Sequence, residues 1–336
     1  MRPPAFWRHE EGGRSGVLAR ALLSPLGAIY AWSVAHRIRR TEPFDCGLPV
    51  ICVGNITMGG TGKTPVAIAL LDRLKAMGFS PHALTRGYGG SVIGPEQVEP
   101  ERHGSGEVGD EPLLLARNAP VWVSRDRPAG AKAAREAGAD LIVMDDGHQN
   151  PTLLKTLSLI VVDGGAGWGA KRVFPAGPLR EPVEAGLARA DAVIIMASGP
   201  DDQPGIERLG LADLEKPVFH AWLEPDAPPP SGKLFAFAGI GRPEKFYDAL
   251  AAAGGELANS MSFPDHHAFT ARDLAVLRDM AREYEARLIT TEKDWVRLPP
   301  DMQAETTAWP VRARFSQPAL LEGMLRDMMD GAARRG

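Results

Sequence analysis

The 336-residue sequence has only two cysteines, no large excess of charge of either sign and no internal repeat. Cys46 and Cys52 match no metal-ligand or disulfide framework, which indicates two inert thiols in a reducing cytosol. A net charge of -4 provides no global attraction to nucleic acid, so no nucleic-acid partner is expected. The absence of a repeat argues against a solenoid.

The overall composition is ordinary for a soluble globular protein, with 44% apolar and 24% charged residues. The chain is also long enough for two domains that each bury a core of their own. Composition therefore excludes extensive disorder and leaves the function to local motifs.

An uninterrupted apolar run of about 20 residues, the length of a membrane span, is also missing. The most apolar stretch, residues 17–35, is interrupted by Arg20 and Pro25. Its helical spacing still gives one apolar face, and residues suited to a lipid headgroup region flank it. The face comprises Leu18, Leu22, Leu26 and Ile29, and the flanking residues are Trp7, Tyr30, Trp32, Arg37, Arg39 and Arg40. We predict that residues 1–40 form a helical segment lying on a membrane, with a core-packing helix and a true span as the alternatives.

Residues 41–222 alternate short β-rich runs with helical stretches. The runs are continuous in Val, Ile and Leu, which is typical of strands buried on both faces of a parallel sheet; they cover residues 48–54, 82–86, 119–124, 139–146, 157–163 and 190–196. This alternation predicts a doubly wound α/β domain whose ligands collect at the carboxyl ends of its strands.

Residues 223–336 are predicted to form a second, smaller α/β domain. A proline-rich stretch at residues 224–233 marks the linker between the two units. The closing segment, residues 318–331, has a helical pattern and can pack back on the first domain. We expect its apolar side chains to face a core, namely Leu320, Leu321, Met324 and Met328.

A glycine-rich segment, VGNITMGGTGKTP, follows the first apolar run at residues 53–65. Its last three loop positions, Gly62, Lys63 and Thr64, satisfy the phosphate-loop pattern, whereas Thr57 stands where the strict pattern has glycine. We predict that this loop binds the phosphates of a nucleoside triphosphate, with Lys63 on the β- and γ-phosphates and Thr64 on Mg²⁺. The predicted loop residues are Thr57, Met58, Gly59, Gly60, Thr61, Gly62, Lys63 and Thr64.

Two adjacent carboxylates, Asp145 and Asp146, end the apolar run LIVMDD. A strand that delivers an aspartate beside a phosphate loop is the arrangement of a Walker B acid, so we predict that Asp145 lies on the metal side and Asp146 near the transferred phosphoryl group or its acceptor. The alternative is that the pair only supports a turn.

Further polar motifs also fall at predicted strand ends or loops. Tyr88 in RGYGG can stack on a sugar, and Arg125 in SRDR can bind a phosphate through two hydrogen bonds. In GDEP, Asp110 and Glu111 start a predicted helix, where they either complement its dipole or serve chemistry. The remaining motifs are GPLREP, residues 177–182, FPDHHAF, residues 263–269, and TTEKDWVRL, residues 290–298.

Taken in order, these motifs resemble those of the tetraacyldisaccharide 4'-kinase family, the lipid A 4'-kinases of Gram-negative bacteria. The resemblance covers most of the chain and depends on GNITMGGTGKTP, RGYGG, GDEP, DDGHQN, GPLREP, DHH and TEKD together. The family also has serine or threonine at the position of Thr57, whereas it more usually has an aromatic residue where this chain has His148.

The resemblance implies an ATP-dependent phosphorylation of the 4'-hydroxyl of tetraacyldisaccharide 1-phosphate, a lipid A precursor, at the cytoplasmic face of the bacterial inner membrane. It further implies that Asp110 is the base and His266 its partner. Carried over by motif, the phosphate and Mg²⁺ residues are Lys63, Thr64, Glu111, Asp145 and Asp146, and the candidates for binding the glycolipid are Tyr88, Arg125, Gln149, Arg180 and Glu181.

Two other classes also fit a phosphate loop. A membrane-associated P-loop switch ATPase would combine the loop with a membrane helix, but Met58 stands where such proteins carry their signature lysine. A nucleotide-binding scaffold without catalysis would need neither Asp110 nor His266. Release of ADP that depends on the glycolipid acceptor would distinguish a kinase from both.

Overall fold

The computed structural model describes residues 4–7, 13–202 and 205–333. The start of the predicted N-terminal segment, residues 1–3 and 8–12, therefore lies outside the described residues. A short 3₁₀ helix covers Ala5–Trp7. The strands in the described part of the chain are β1 Val50–Gly54, β2 Pro81–Thr85, β3 Glu96–Gln97, β4 Val121–Val123, β5 Leu141–Asp145, β6 Leu157–Asp163, β7 Ala192–Met196, β8 Val218–Pro225, β9 Lys233–Ala238, β10 Glu256–Ser262, β11 Arg287–Thr291, β12 Thr306–Trp309 and β13 Val311–Phe315.

Helices connect most of these strands. They are α1 Gly13–Arg40, α2 Lys63–Ala76, α3 Ser105–Val108, α4 Asp110–Ala116, α5 Arg127–Glu136, α6 Val183–Ala188, α7 Pro243–Ala252, α8 Ala271–Glu283, α9 Glu292–Trp295, α10 Pro300–Glu305 and α11 Pro318–Ala333. The helix after the glycine-rich loop, α2, ends just before Gly78, whose φ of +93° no helix can continue.

The first sheet has the strand order β13-β8-β7-β6-β1-β5-β2-β4-β3. Its interior strands are parallel, and only β3 and β13 at the two edges run antiparallel to their neighbours. Every residue of β1 and β5 is buried, because helices cover both faces of the sheet. The predicted doubly wound α/β fold is confirmed, and the carboxyl ends of β1, β5, β2 and β4 meet at one edge.

The second sheet is smaller and entirely parallel, with the order β10-β9-β11-β12. Its core comprises the buried faces of β9 and β11 together with helices α7 and α8. The proline-rich stretch connects β8 to β9, and all four strands of the second sheet follow it.

The end of the chain returns to the first sheet. Strand β13 pairs with β8, and α11 packs Leu321, Leu325 and Met328 into the core of the first sheet. The expectation that Leu320 faces a core is wrong, because its side chain is 56% exposed. One residue of shift on a helix turns a side chain by about 100°, which moves Leu320 out of the row that Leu321 begins.

Helix α1 leaves its apolar face uncovered. Leu22 is 70% exposed, and Leu18, Leu26 and Ile29 are similarly exposed, which excludes a helix buried in the protein core. Residues 15–40 are long and apolar enough to cross a membrane, the one such helix among the described residues. Tyr30 packs edge-on against Phe174, a protein contact at a position predicted to meet headgroups.

We expect Leu321→Ala to lower the free energy of unfolding by about 3 kcal/mol, because it removes a fully buried side chain from the core of the first sheet. The matched control is Leu320→Ala on the same helix, expected to change it by less than about 0.5 kcal/mol. Urea unfolding followed by tryptophan fluorescence measures both. Equal losses in the two variants would contradict the packing of α11 on the first sheet.

Candidate active site

The glycine-rich loop joins β1 to α2 and is held from one side by residues 178–180. Met58 donates its backbone N–H to the Pro178 carbonyl at 2.7 Å, and Arg180 donates its own to the Ile56 carbonyl at 2.7 Å. Gly62 precedes α2 with a φ of +90°, and a Cβ there would lie 3.0 Å from Cγ of Met196. Only glycine fits this turn, which leaves the first N–H groups of α2 open toward a ligand.

The hydroxyl and the acid that the sequence predicts for a magnesium site lie together behind this loop. Thr64 Oγ1 donates to Asp145 Oδ2 at 3.0 Å. Burial raises the pKa of Asp145 to about 7, against the opposing effect of Lys63, and Asp146 and Glu111 raise it further. The second oxygen, Asp145 Oδ1, is buried without a hydrogen-bond partner among the described residues.

This donor set fits Mg²⁺ and does not fit a metal held by the protein alone. No group of three or more His, Cys, Asp or Glu side chains in the described ranges could hold a metal ion. Mg²⁺ in phosphoryl-transfer sites is commonly bound by one or two protein oxygens, with phosphates and water completing the shell. Thr64 and the unpaired oxygen of Asp145 supply such a partial shell.

Asp146 adopts the left-handed backbone conformation, with a φ of +55°. Its carboxylate receives two hydrogen bonds from Arg180, at 2.8 and 3.1 Å, and lies 3.6 Å from Lys63 Nζ. Although burial opposes it, the charges of Lys63 and Arg180 hold the pKa of Asp146 below its usual range. Arg180 therefore faces the phosphate loop.

Gln149 and Glu181 form a buried support beside the loop. Gln149 Nε2 donates to the carbonyl of Asn55 at 2.8 Å and to Glu181 Oε1 at 2.9 Å. Glu181 is only 2% exposed and receives two further hydrogen bonds from Arg189, both at 2.7 Å. Both side chains are occupied with protein partners in this arrangement.

His148 lies in the core beneath this support. Its ring contacts Ser158 Oγ at 3.0 Å and the Gly186 carbonyl at 3.1 Å. Burial lowers its pKa to about 3, so the imidazole stays neutral and fills the space that an aromatic ring would fill.

The second half of the site joins the two sheets. Asp110 begins α4, next to the carboxyl end of β2, and its Oδ2 lies 2.9 Å from Nδ1 of His266, which follows β10. Gly109 allows this approach, because it has a φ of +92° and a Cβ there would lie 2.5 Å from the Tyr88 carbonyl. The structure thus pairs Asp110 with His266, as the sequence suggests.

Electrostatics keep Asp110 ionised. Burial favours the neutral acid, but hydrogen bonds from His266 and Arg297 outweigh it and lower the pKa of Asp110 to about 2. Since a carboxylate only accepts hydrogen bonds, His266 Nδ1 is the donor, and its Nε2 then faces the ammonium of Lys293 at 3.1 Å.

Lys293 connects the two halves of the site. Besides its contact with His266, its ammonium lies 4.0 Å from Glu111 Oε1 and 3.8 Å from Asp265. Glu111 in turn is close enough to Asp145 to raise the pKa of that acid. A single charged cluster therefore runs from the phosphate loop to the second sheet.

Lys293 and Arg297 received no role from sequence reasoning, although both lie in the motif TTEKDWVRL. The available signal was two cations directly after a strand of the second domain. Arg127, the second arginine of the SRDR motif, is 2% exposed and lies close to Asp145 and Asp146. Burial, with the nearby Arg86 adding to it, lowers the pKa of Arg127 to about 10.

The side chains of two predicted substrate residues are exposed beside this cluster. Tyr88 is 76% exposed and Arg125 is also exposed, at loops that follow β2 and β4. His267, next to His266, instead contacts Asp273 at 3.0 Å within the second domain.

The parallel sheet, the phosphate loop with its acid on the neighbouring strand and the Asp–His pair between the two sheets define a P-loop phosphotransferase. The sequence pattern of the family described as tetraacyldisaccharide-1-P 4'-kinase (LpxK) matches residues 19–330. The chain belongs to this family.

Relatives that carry this name match the sequence over nearly its whole length. The chain is 59% identical to the tetraacyldisaccharide 4'-kinase of Maricaulis maris, over 98% of this chain and 97% of that protein. It is 54% identical to the enzyme of that name from Phenylobacterium zucineum, over 97% and 98% of the two chains. The crystal structure of LpxK from Aquifex aeolicus in complex with ATP is 25% identical and superposes with a TM-score of 0.72, over 92% of this chain and 99% of that one.

We expect Asp110→Asn to lower the free energy of unfolding by about 2 kcal/mol at pH 7, because the depressed pKa of Asp110 is a stabilising interaction. This contribution is present above the pKa of Asp110 in the unfolded state and is lost as pH falls through its pKa in the folded state. The difference in free energy of unfolding between variant and wild type should therefore roughly halve by pH 3. Urea unfolding at both pH values measures it. A pH-independent gap would contradict the ion-pair account, and Asp279→Asn at an exposed pair is the control.

Proposed function

We propose that this chain is an ATP-dependent kinase that phosphorylates the 4'-hydroxyl of tetraacyldisaccharide 1-phosphate to give lipid IVA. The observation that carries the proposal is the Asp110–His266 pair, which faces a phosphate loop and its acid in one charged cluster. Family membership and the names of the relatives supply the substrate.

ATP would be held by the loop residues 57–64, with Lys63 at the β- and γ-phosphates. Lys63 now lies 3.6 Å from Asp146, so the incoming phosphates would compete with a weak contact for its charge. Thr64 and Asp145 would hold Mg²⁺, which supplies neutralisation of the phosphate charge in such transfers. Glu111 would act from farther away, through its influence on Asp145.

The transfer needs positioning more than covalent chemistry from the protein. The acceptor oxygen forms a bond to the γ-phosphorus, the bond from that phosphorus to the bridging oxygen breaks, and ADP leaves with the electron pair. The hydroxyl proton goes to Asp110, whose carboxylate is oriented by the hydrogen bond from His266. An acid with a pKa of about 2 is a weak base, but in a loose transition state the proton leaves late.

The glycolipid would enter from the side that carries the exposed loops. Tyr88 and Arg125 are free at the surface to contact the sugar and its phosphate. Arg180 would contribute from beside the phosphate loop. Gln149 and Glu181 would support this region from below, since both already bond to protein groups.

The acceptor carries four acyl chains, so the kinase must work at a membrane surface, which we place at the cytoplasmic face of the inner membrane. Each buried CH₂ is worth about 0.8 kcal/mol, which prevents such a lipid from leaving the bilayer. The uncovered apolar face of α1 and the arginines at its end suit this surface.

We expect Asp110→Ala and His266→Ala each to lower kcat by about a hundredfold or more and to leave ATP affinity nearly unchanged, because both act on the acceptor. Transfer of radiolabelled γ-phosphate to the disaccharide in detergent measures kcat. His267→Ala is the matched control, since that imidazole contacts Asp273 instead.

Two results would contradict this assignment. Unchanged turnover in Asp110→Ala would remove it from the reaction. Release of ADP that responds to bare vesicles without disaccharide would instead favour the membrane-associated P-loop switch ATPase.

We expect Leu22→Asn with Leu26→Asn to reduce flotation with vesicles of phosphatidylethanolamine and phosphatidylglycerol several-fold, because both side chains lie on the uncovered face of α1. Leu320→Asn, an exposed leucine on α11, is the control and should float like the wild type. Equal flotation of all three proteins would show that α1 does not bind the membrane.

A further inference from the structure

Arg297 is a buried cation that the proposed reaction leaves without a role. It follows α9 in the second domain, and its side chain is 3% exposed. One terminal nitrogen, Nη1, donates to Asp294 Oδ1 at 2.8 Å and to the Gly239 carbonyl at 3.1 Å, both within that domain. A buried guanidinium needs such partners, and these two already anchor it.

The other terminal nitrogen reaches out of its own domain. Arg297 Nη2 donates to Asp110 Oδ2 at 2.6 Å, the shortest of its contacts. The planar guanidinium therefore spans two carboxylates, Asp110 of the first domain and Asp294 of the second. A lysine has a single ammonium group in place of the planar guanidinium and cannot bond to both carboxylates in this arrangement.

Both donors to Asp110 meet the same oxygen. His266 Nδ1 and Arg297 Nη2 contact Oδ2, and no described residue donates a hydrogen bond to Oδ1. Two donors on one oxygen fix the rotation of the carboxylate, and this leaves the lone pairs of Oδ1 for a hydroxyl.

We propose that Arg297 is a positioning residue for the transfer: it fixes Oδ2 of Asp110 and thereby directs Oδ1 at the acceptor hydroxyl. This assignment rests on the proposed function. Because Arg297 belongs to the second domain, Asp110 is oriented only while the two domains are in contact.

The test is a set of steady-state measurements on the full-length protein with radiolabelled ATP and the disaccharide in detergent. Arg297→Met should lower kcat about thirtyfold with KM for ATP changed less than about twofold, since misplacing a reacting group costs rate and not nucleotide binding. Arg278→Met is the matched control, because Arg278 also spans two carboxylates, Asp301 and Glu305, but at the surface. It should keep the wild-type kcat.

The same substitution in an Asp110→Asn background separates positioning from general stability. If Arg297 acts through Asp110, Arg297→Met should lower kcat less than about twofold in that background. If its role is purely structural, Arg297→Met should lower kcat by the same factor in both backgrounds. Equal costs would overturn the proposal.

Arg297→Lys keeps the charge and carries the test if Arg297→Met does not fold. It should fold and still lose most of kcat, since the ammonium cannot span Asp110 and Asp294; wild-type kcat in this variant would overturn the proposal. A wild-type protein that transfers no label to the disaccharide would refute the proposed function itself. Full activity in Arg297→Met, with an active wild type, would refute only the positioning role.

Discussion

The contact of Asp110 with the second domain is the interaction on which the site depends. The phosphate loop, its acid and its lysine all belong to the first sheet and need nothing from the second. Asp110 also belongs to the first sheet, but its carboxylate is oriented by His266 and Arg297 of the second. In the proposed function the nucleotide half of the site would therefore be complete within one domain, whereas the half that receives the acceptor would exist only where the domains meet.

Charge balance explains how the same cluster can exist before ATP binds. Each acid has a cation or a hydroxyl beside it: Asp146 has Arg180 and Lys63, Asp110 has Arg297, and Asp145 has Thr64. A triphosphate would add negative charge to this cluster, where burial raises the pKa of Asp145 most and the nearby Asp146 and Glu111 also raise it. In the proposed function Mg²⁺ would balance this charge, and the unpaired oxygen of Asp145 is where the protein would contribute to it.

Local patterns were sufficient to predict the parts that depend on neighbours in the sequence. Continuous apolar runs predicted the central strands, and the spacing of Gly62, Lys63 and Thr64 predicted the loop. Strands β3, β8, β12 and β13 were missed, because they are short or half-exposed and lack such runs. The pairing of β13 with β8 is a long-range contact that no local pattern encodes. The pair Asp110–His266, 156 residues apart, came from family resemblance, and Arg297, 187 residues from Asp110, had no comparable signal.

One segment, residues 173–181, connects α1 to the phosphate loop. On one side a Cβ at Gly27 of α1 would lie 2.8 Å from the Val173 carbonyl, and Trp7 donates its indole N–H to the Pro175 carbonyl at 3.1 Å. On the other side the same segment bonds to the loop at Met58 and, through Arg180, to Asp146.

Because packed groups at such distances have little room to slide, the phosphate loop cannot shift relative to α1 without breaking these contacts. If α1 lies on a membrane as proposed, its orientation there would also fix the orientation of the phosphate loop. The second domain is tied to the first by other contacts, namely the pairing of β13 with β8 and the hydrogen bonds of His266 and Arg297 to Asp110.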